Sequence, residues 1–132
     1  MSDLKDRISS EMLSDYSSSL ERNFEIAKKY IRVTTNSTIE IINKEKYNGE
    51  DLILIYCIGK QYSKEAEISE SSGVSNRELQ DELGKPSGSI LPWLKSLRDK
   101  KKLLRDKTKS PIEHFVPLNQ IEPILLDLEK KH

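Results

Sequence analysis

The densest group of side chains that could do chemistry is a cluster of basic residues in the second half of the chain. Between Lys85 and Lys109 the sequence holds nine basic and two acidic residues, a net charge of +7. Because Lys+Arg and Asp+Glu balance at 22 each over the 132 residues, the rest of the chain carries −7. Clustered ammonium and guanidinium groups attract phosphates, so this split gives a neutral protein one face suited to them. The basic residues are Lys85, Lys95, Arg98, Lys100, Lys101, Lys102, Arg105, Lys107 and Lys109.

The residue types that carry catalysis or bind metals lack the spacing that such chemistry needs. The sequence has no glycine-rich phosphate loop, no Cys/His metal spacing and no nucleophile motif, so we expect no enzyme activity, metal site or cofactor. Cys57, His114 and His132 are single residues far apart. We expect Cys57 to be a buried core residue, His114 to lie on a strand, and Trp93 to lie in the core or at its edge.

Cysteine content and hydropathy indicate a compartment. A single cysteine excludes an intramolecular disulfide and fits a reducing environment. The segment Met1–Ser10 lacks the apolar run of a signal peptide. The longest apolar run, Leu52–Ile58, has seven residues, far fewer than the ~20 that a membrane-spanning helix needs. We therefore expect a cytoplasmic protein that makes no membrane contact.

The elements that must position the basic cluster begin with a short helix whose ends are well marked. Ser75 can cap the helix, Glu78 can close a capping box three residues later, and Val74 can pack back onto the helix as a staple. Gly84 stands where a left-handed C-cap is expected. The sequence therefore predicts a helix over 76–83, followed by a tight turn.

A second amphipathic helix follows the turn, with an apolar face that includes Ile90 and Leu97. Pro92 restricts where this helix begins, because proline is tolerated in a first turn but bends a helix further in. Two starts are compatible with the pattern. The helix begins at Ser89, with Pro92 in its first turn, or it begins near Ser87 and is bent.

The segment before these helices predicts one long helix and a hairpin. Met1–Tyr30 has helical periodicity, and Ile31–Ile42 has the alternation of a small β-hairpin. A weak heptad lies along the first segment, formed by Leu13, Leu20 and Ala27 with Tyr16, Asn23 and Tyr30 three residues later. Such a pattern fits a coiled coil with a second chain. It fits equally well a helix that packs on its own domain.

The central helix is predicted from Asn48, whose side chain can cap it. Its apolar residues cover the whole circumference over 52–62, so it must be covered on more than one side. The helix-turn-helix region would cover one side, and the N-terminal helix or a partner subunit would cover the other. A polar loop, Lys64–Gly73, follows it.

The last part of the chain predicts two short strands and a helix. Leu103–Arg105 and Ile112–Val116 are the strands, and the basic loop Asp106–Pro111 joins them. Asn119 can cap a C-terminal helix with four apolar residues on one face.

This pattern resembles the winged helix-turn-helix superfamily of small prokaryotic and archaeal transcription regulators. The matching residues are Ser75, Glu78-Leu79, Leu83-Gly84, Ser89-Ile90, Leu94, Leu97 and Leu103-Leu104. The resemblance implies a mainly α, α+β fold: a three-helix core whose first helix is Glu50–Ala66, with Arg105–Val116 as the wing. Two positions depart from the family pattern. Gln80 stands where alanine is common, and Lys102 stands where glycine usually precedes the wing.

The resemblance also implies a partner and a site. A winged helix-turn-helix places its second helix in a DNA major groove, N-terminal end first, so we expect double-stranded DNA as the partner. The residues expected near bases are Ser87, Ser89, Lys95 and Ser96. Those expected on flanking phosphates are Lys100, Lys101, Lys102, Arg105, Lys107 and Lys109.

The sequence as a whole predicts three parts. Residues 1–48 form an N-terminal extension for dimerisation or packing, 49–117 form the winged helix-turn-helix domain, and 118–132 form the C-terminal helix. The expected function is double-stranded DNA binding, sequence-specific or general, as a homodimeric transcriptional regulator. The alternative is a winged-helix module that binds another protein within a larger assembly.

Overall fold

The computed structural model describes residues 4, 5 and 16–131, which form a mixed, mostly helical fold with two small antiparallel sheets. The helices are α1 (Tyr16–Arg22), α2 (Phe24–Ala27), α3 (Gly49–Glu65), α4 (Asn76–Leu83), α5 (Ser87–Asp99) and α6 (Leu118–Lys131). The strands are β1 (Ile31–Val33), β2 (Ile39–Ile41), β3 (Val74–Ser75), β4 (Leu104–Asp106) and β5 (Glu113–Phe115). Lys44–Lys46 form one 3-10 turn.

Helix α3 is the centre of the core. Its predicted start is confirmed, since the side chain of Asn48 accepts a hydrogen bond of 2.8 Å from the Asp51 N–H. Every side chain over Leu52–Ile58 is at most 4% exposed. The β1–β2 hairpin, α5, α6 and β5 all pack on α3. The all-round apolar surface is therefore covered by the chain itself, and a second subunit is not needed to cover it.

The N-terminal segment is not one continuous helix, so that prediction is wrong for the part that can be described. The helical structure breaks at Asn23 and ends at Ala27. Asn23 is 2% exposed, and its side-chain amide donates to the carbonyl oxygen of Ser19 at 2.9 Å. A side chain that competes for a helical carbonyl weakens the helix at that point. Residues 6–15, which hold the first heptad position, lie outside the described residues.

The heptad positions whose side chains the structure describes are buried within one chain. Leu20, Ala27 and Tyr30 belong to the hydrophobic core and are at most 7% exposed. The Tyr62 hydroxyl of α3 donates to the carbonyl oxygen of Leu20 at 2.6 Å. This arrangement matches the second interpretation of the heptad, in which the segment packs on its own domain.

The first sheet confirms the predicted β-hairpin. Strands β1 and β2 pair antiparallel, with Ile31 opposite Ile41 and Val33 opposite Ile39. The hairpin lies close to α3 at Gly59, where a Cβ would come within 2.6 Å of the Ile39 Cγ2 atom. Glycine at this position lets the sheet approach the helix backbone.

The second sheet contains one strand that the sequence pattern did not predict. Its order is β3–β5–β4, so β5 is the central strand. The two strands predicted near the C-terminus, β4 and β5, pair as expected. The strand β3 has only two residues and pairs with a partner about forty residues further along the chain. Val74 and Arg105 both lie opposite His114, on either side of it.

Helix α4 has the caps that the sequence predicts, with one exception. The Ser75 hydroxyl accepts from the Glu78 N–H at 3.1 Å, and Gly84 has the left-handed φ of 66°. The reciprocal half of the capping box is wrong. The Glu78 carboxylate instead accepts from the Tyr56 hydroxyl at 2.6 Å and from the Lys60 ammonium at 2.8 Å.

Helix α5 begins at Ser87, the earlier of the two predicted starts, and Pro92 lies inside it. Proline removes the N–H that would bond to the carbonyl of Gly88. The helix ends at Asp99, and Lys101 has the left-handed φ of 61°. Lys101, one residue before the position where the sequence resemblance led us to expect glycine, is therefore the residue that turns the chain toward β4.

Helix α6 closes the fold and begins at Leu118, one residue before the cap that Asn119 was expected to form. Its apolar face is buried, and the Lys131 ammonium lies 3.3 Å from the Asp51 carboxylate of α3. One hydrophobic core thus includes residues from all three predicted parts of the chain. In the part of the chain that the structure describes, no helix is both long and apolar enough to cross a membrane.

Candidate nucleic-acid interface

The position of α5 is set by a strongly apolar inner face. Ile90, Leu94 and Leu97 are at most 1% exposed and pack in the core, which fixes the rotation of the helix. Trp93 is partly buried at its edge, and a Cβ on Gly49 would overlap its ring. The side of α5 turned away from the core carries Gly88, Leu91, Pro92, Lys95 and Asp99, all exposed.

The residues expected near DNA bases do not form one polar surface. Ser87 is exposed, whereas Ser89 is half-buried. Lys95 is exposed but lies 3.8 Å from Asp99, a surface pair of little energetic value. Ser96 is half-buried, and its side chain helps to lower the pKa of the Glu50 carboxyl. Of the four residues expected to contact bases, Ser87 and Lys95 are therefore exposed.

Lys100 is also drawn toward Glu50, at the start of α3. Its ammonium lies 2.9 Å from the Glu50 carboxylate. The hydrogen bond from Lys100, assisted by Ser96 and by the charge of Lys102, holds the pKa of Glu50 below its usual value. This contact ties the end of α5 to the start of α3. Lys100 would have to give up this partner in order to bind a phosphate.

The remaining expected phosphate contacts form a continuous stretch of the chain around the wing. They are Lys101, Lys102, Arg105, Lys107 and Lys109, all exposed except the half-buried Lys102. Among residues 16–131, none of them forms an ion pair. In the loop between β4 and β5, the Asp106 carboxylate accepts from the backbone N–H of Thr108 at 3.0 Å. This hydrogen bond closes a tight turn in the loop that joins β4 to β5.

Two residues of interest beside this stretch were not among the expected contacts. Arg98 is half-buried in the last turn of α5, and burial together with the charge of Arg105 lowers its pKa. His114 is 5% exposed, and its Nδ1 atom is buried without a hydrogen-bond partner in the described chain. Burial, Arg98 and Arg105 lower the pKa of His114 to about 4. In the sequence, Arg98 is one of nine basic residues in this cluster. Only the fold shows that its charge acts on His114 together with that of Arg105.

Three other features were considered as candidate sites: the lone cysteine, one apolar groove, and clusters of possible metal ligands. Cys57 is completely buried, and burial raises the pKa of its thiol. A mainly apolar groove of about 420 Å³ lies between α2, β1 and the end of α3, and Phe24, Ile31 and Tyr62 line it. Within the described residues, no group of three or more His, Cys, Asp or Glu side chains could hold a metal ion.

No family model, curated protein or solved structure matches this chain. A function for this chain must therefore be inferred from its own fold and from the charges around α5 and the β4–β5 hairpin.

Proposed function

We propose that this chain is a winged helix-turn-helix protein that binds double-stranded DNA, mainly through the phosphate backbone. The order of elements supports the fold assignment: α3, α4 and α5 are followed by the hairpin β4–β5, the order that the family resemblance implies. The strand β3 joins this hairpin and links the helix-turn-helix to the wing. The role that the resemblance suggests for such a protein is transcriptional regulation.

The observation that carries the DNA proposal is the stretch of unpaired cations from Lys101 to Lys109. Some cations elsewhere in the described chain, such as Lys60 and Lys131, have carboxylate partners, and those that do not, such as Lys44 and Lys46, lie outside this stretch. Cations that remain unpaired and exposed on one side attract the phosphates of a duplex, and each neutralised phosphate releases counterions. Five such contacts give an expected salt slope of roughly −4 to −5 in log K against log salt.

Backbone binding is favoured over base reading by the outward face of α5. Leu91 is 51% exposed at the centre of that face, next to Pro92. Sequence is read in the major groove chiefly by hydrogen-bonding side chains. With Ser87 and Lys95 as the exposed candidates for that task, we expect affinities for unrelated duplexes to agree within about tenfold, far from the 10³-fold or greater preference of specific binders.

The test is a titration of a labelled duplex at about 50 and 200 mM salt, a range in which backbone binding falls steeply. The variant Lys107→Ala with Lys109→Ala should reduce the magnitude of the slope by about 1.8, because two phosphate contacts are lost. Its matched control is Lys44→Ala with Lys46→Ala, two exposed lysines of the 3-10 turn. If the wild-type chain does not bind duplex at the lower salt concentration, the DNA proposal is wrong.

The alternative is a winged-helix module that binds another protein, and the exposed Leu91 is the observation that favours it. An apolar side chain at this position is more useful against a protein surface than in a hydrated groove. The variant Leu91→Ser tests this alternative. Under the DNA proposal, the substitution should leave the affinity for duplex unchanged.

The homodimer expected from the sequence would use exposed residues of the N-terminal segment and of the C-terminal helix. The heptad positions that the structure describes are already buried, whereas Phe24 on α2 and Leu126 on α6 are 48% and 46% exposed. We propose that a dimer, if it forms on DNA, uses these. Sedimentation at tens of micromolar protein distinguishes a 15.2 kDa monomer from a species of twice that mass.

A further inference from the structure

The Glu50–Lys100 ion pair connects the core of the fold to the stretch of unpaired cations. The Lys100 ammonium lies 2.9 Å from a carboxylate oxygen of Glu50, so the pair joins the end of α5 to the first turn of α3. Along the chain, Lys100 comes directly before Lys101, the first cation of the unpaired stretch. One of the cations expected to contact DNA is therefore held by a carboxylate of the same chain.

The two side chains of this pair differ in exposure and in freedom to move. The Lys100 side chain is 53% exposed, whereas that of Glu50 is 27% exposed. Glu50 belongs to the first turn of α3, whose start is fixed by the cap that Asn48 forms. The lysine ammonium, by contrast, is carried on a flexible four-carbon stem. Lys100 can therefore exchange Glu50 for another anion by side-chain rotation alone.

The other ion pair of α5 is different in kind. Among residues 16–131, Lys95 is the second expected DNA contact that has a carboxylate partner, Asp99. The two groups are 3.8 Å apart on the same helix, with side chains 74% and 69% exposed. Such a pair is worth little and leaves the lysine available. The shorter and more sheltered contact to Glu50 holds its lysine more firmly.

We propose that Glu50 is an intramolecular competitor of the DNA phosphates, which holds Lys100 in the free protein and thereby limits the affinity of the chain for duplex. This inference rests on the proposed DNA binding and adds to it a regulation of the same surface. A carboxylate and a phosphate both accept charge-assisted hydrogen bonds from an ammonium group. A phosphate that binds Lys100 must therefore displace Glu50, and the chain gives up the contact between α5 and α3.

The first variant, Glu50→Gln, removes the charge and keeps the size of the side chain. We expect its affinity for a labelled duplex at about 50 mM salt to be roughly fivefold higher than that of the wild type, the upper range for one partly exposed ion pair. The magnitude of the salt slope should rise by about 0.9, because Lys100 becomes a sixth phosphate contact. Thermal unfolding should show a slightly lower melting temperature, so that binding and stability change in opposite directions.

Two further substitutions control for the loss of a negative charge as such. Asp99→Asn removes a carboxylate from α5 itself, and Glu45→Gln removes an exposed one from the 3-10 turn. A general effect of net charge would raise duplex affinity in both variants as much as in Glu50→Gln. Because exposed charges are screened by salt, we expect a gain of at most about twofold in either.

The variant Lys100→Ala identifies the source of the steeper salt slope. In the Lys100→Ala background, Glu50→Gln should leave the slope unchanged, because the sixth phosphate contact cannot form. If Glu50→Gln steepens the slope in this background as well, Glu50 acts through some other cation, and the inference is wrong.

The pair in the free protein can be observed separately from DNA binding. The hydrogen bond from Lys100 is the main influence that holds the pKa of the Glu50 carboxyl below its usual value. An NMR titration of the carboxyl carbon should show this lowered pKa in the wild type and a value closer to the usual one in Lys100→Ala. Equal pKa values in the two proteins would mean that Glu50 does not hold Lys100.

The remaining outcomes separate this inference from the proposed function. If the wild type binds duplex and Glu50→Gln binds no more tightly than Glu45→Gln, the role of Glu50 is wrong and the general DNA proposal stands. If neither the wild type nor Glu50→Gln binds duplex at the lower salt concentration, the DNA proposal fails and this inference fails with it.

Discussion

Helices α4 and α5 pack against each other, but the charges around them are arranged in opposite ways. Near α4, Glu78 accepts hydrogen bonds from both Tyr56 and Lys60, so that its charge is matched inside the chain. At the end of α5, Arg98 and the cations that follow it have no carboxylate partner within the described residues. Lys100, paired with Glu50, is the exception at the boundary.

The paired charges near α4 stabilise the fold, whereas the unpaired cations at the end of α5 are available to bind another molecule. A partly buried carboxylate with two donors stabilises one arrangement of α3 against α4. A set of unpaired cations contributes nothing of this kind and repels itself. A bound anion would offset this repulsion, which is why we propose a binding role for the end of α5 and the β4–β5 hairpin, and a structural role for α4.

The largest expected effect is on His114, which lies where the unpaired cations reach the core. Its pKa of about 4 in the folded protein is below the unfolded value of 6.5. The unfolded chain therefore binds the proton more readily, so this contribution to stability is complete above pH 6.5 and is lost as the pH falls toward 4. The loss is about 3 kcal/mol in the free energy of unfolding. Urea unfolding across this range measures it.

The variant His114→Leu is the control for this prediction. It should remove the part of the pH dependence that falls between about 6.5 and 4, the interval set by the two pKa values. If the wild type and this variant lose stability in parallel over that interval, the neutral buried state of His114 is wrong.

The second effect concerns the paired charges near α4. Glu78→Gln removes the charge that Lys60 requires and weakens the bond to the Tyr56 hydroxyl. We expect a loss of about 2 kcal/mol in the free energy of unfolding, since the pair is only partly exposed. Duplex affinity should not change while the protein remains folded. If the Glu78→Gln variant is folded and unfolds cooperatively but no longer binds duplex, then the charges near α4 are not purely structural.

Sequence patterns located most of the fold because its signals are local. Asn48, Ser75 and Gly84 act on the backbone within a few residues, and the structure bears out all three. The strand β3 was missed because two residues carry no periodicity and its partner is distant in the chain. The break at Asn23 was missed because a polar heptad residue has the same appearance in a coiled coil and in a helix interrupted by its own side chain.

The sequence predicted only part of the candidate site, because charge pairing depends on residues far apart in the chain. Clustering of charge along the chain identified Lys101–Lys109 but could not tell which cations have partners. Lys100 is paired with Glu50, about fifty residues earlier. Arg98 and Arg105 lie on different elements, and only the fold shows that both lower the pKa of His114. Partners that come from distant segments depend on tertiary packing.

The third effect tests the end of α4. Gly84 has a φ of 66°, and a Cβ there would meet no atom within 4 Å. Gly84→Ala therefore introduces backbone strain without a steric clash, about 1–2 kcal/mol. The less flexible unfolded chain returns about 0.4–1 kcal/mol. Thermal unfolding should show a net loss of about 1 kcal/mol, with duplex affinity unchanged. An unchanged melting temperature would mean that this turn is not held in the left-handed form.

The smallest effect is the most informative, because at Lys101 the requirements of fold and function conflict. Its φ of 61° is one that glycine adopts without strain. Lys101→Gly should therefore stabilise the chain by about 0.5 kcal/mol, the strain relieved less the added flexibility of the unfolded chain. The same change should weaken duplex binding and reduce the magnitude of the salt slope by about 0.9. Lys101→Ala, which removes the charge but keeps the strain, should weaken binding equally without the gain in stability. A glycine variant that is more stable and binds duplex as tightly as the wild type would remove Lys101 from the interface.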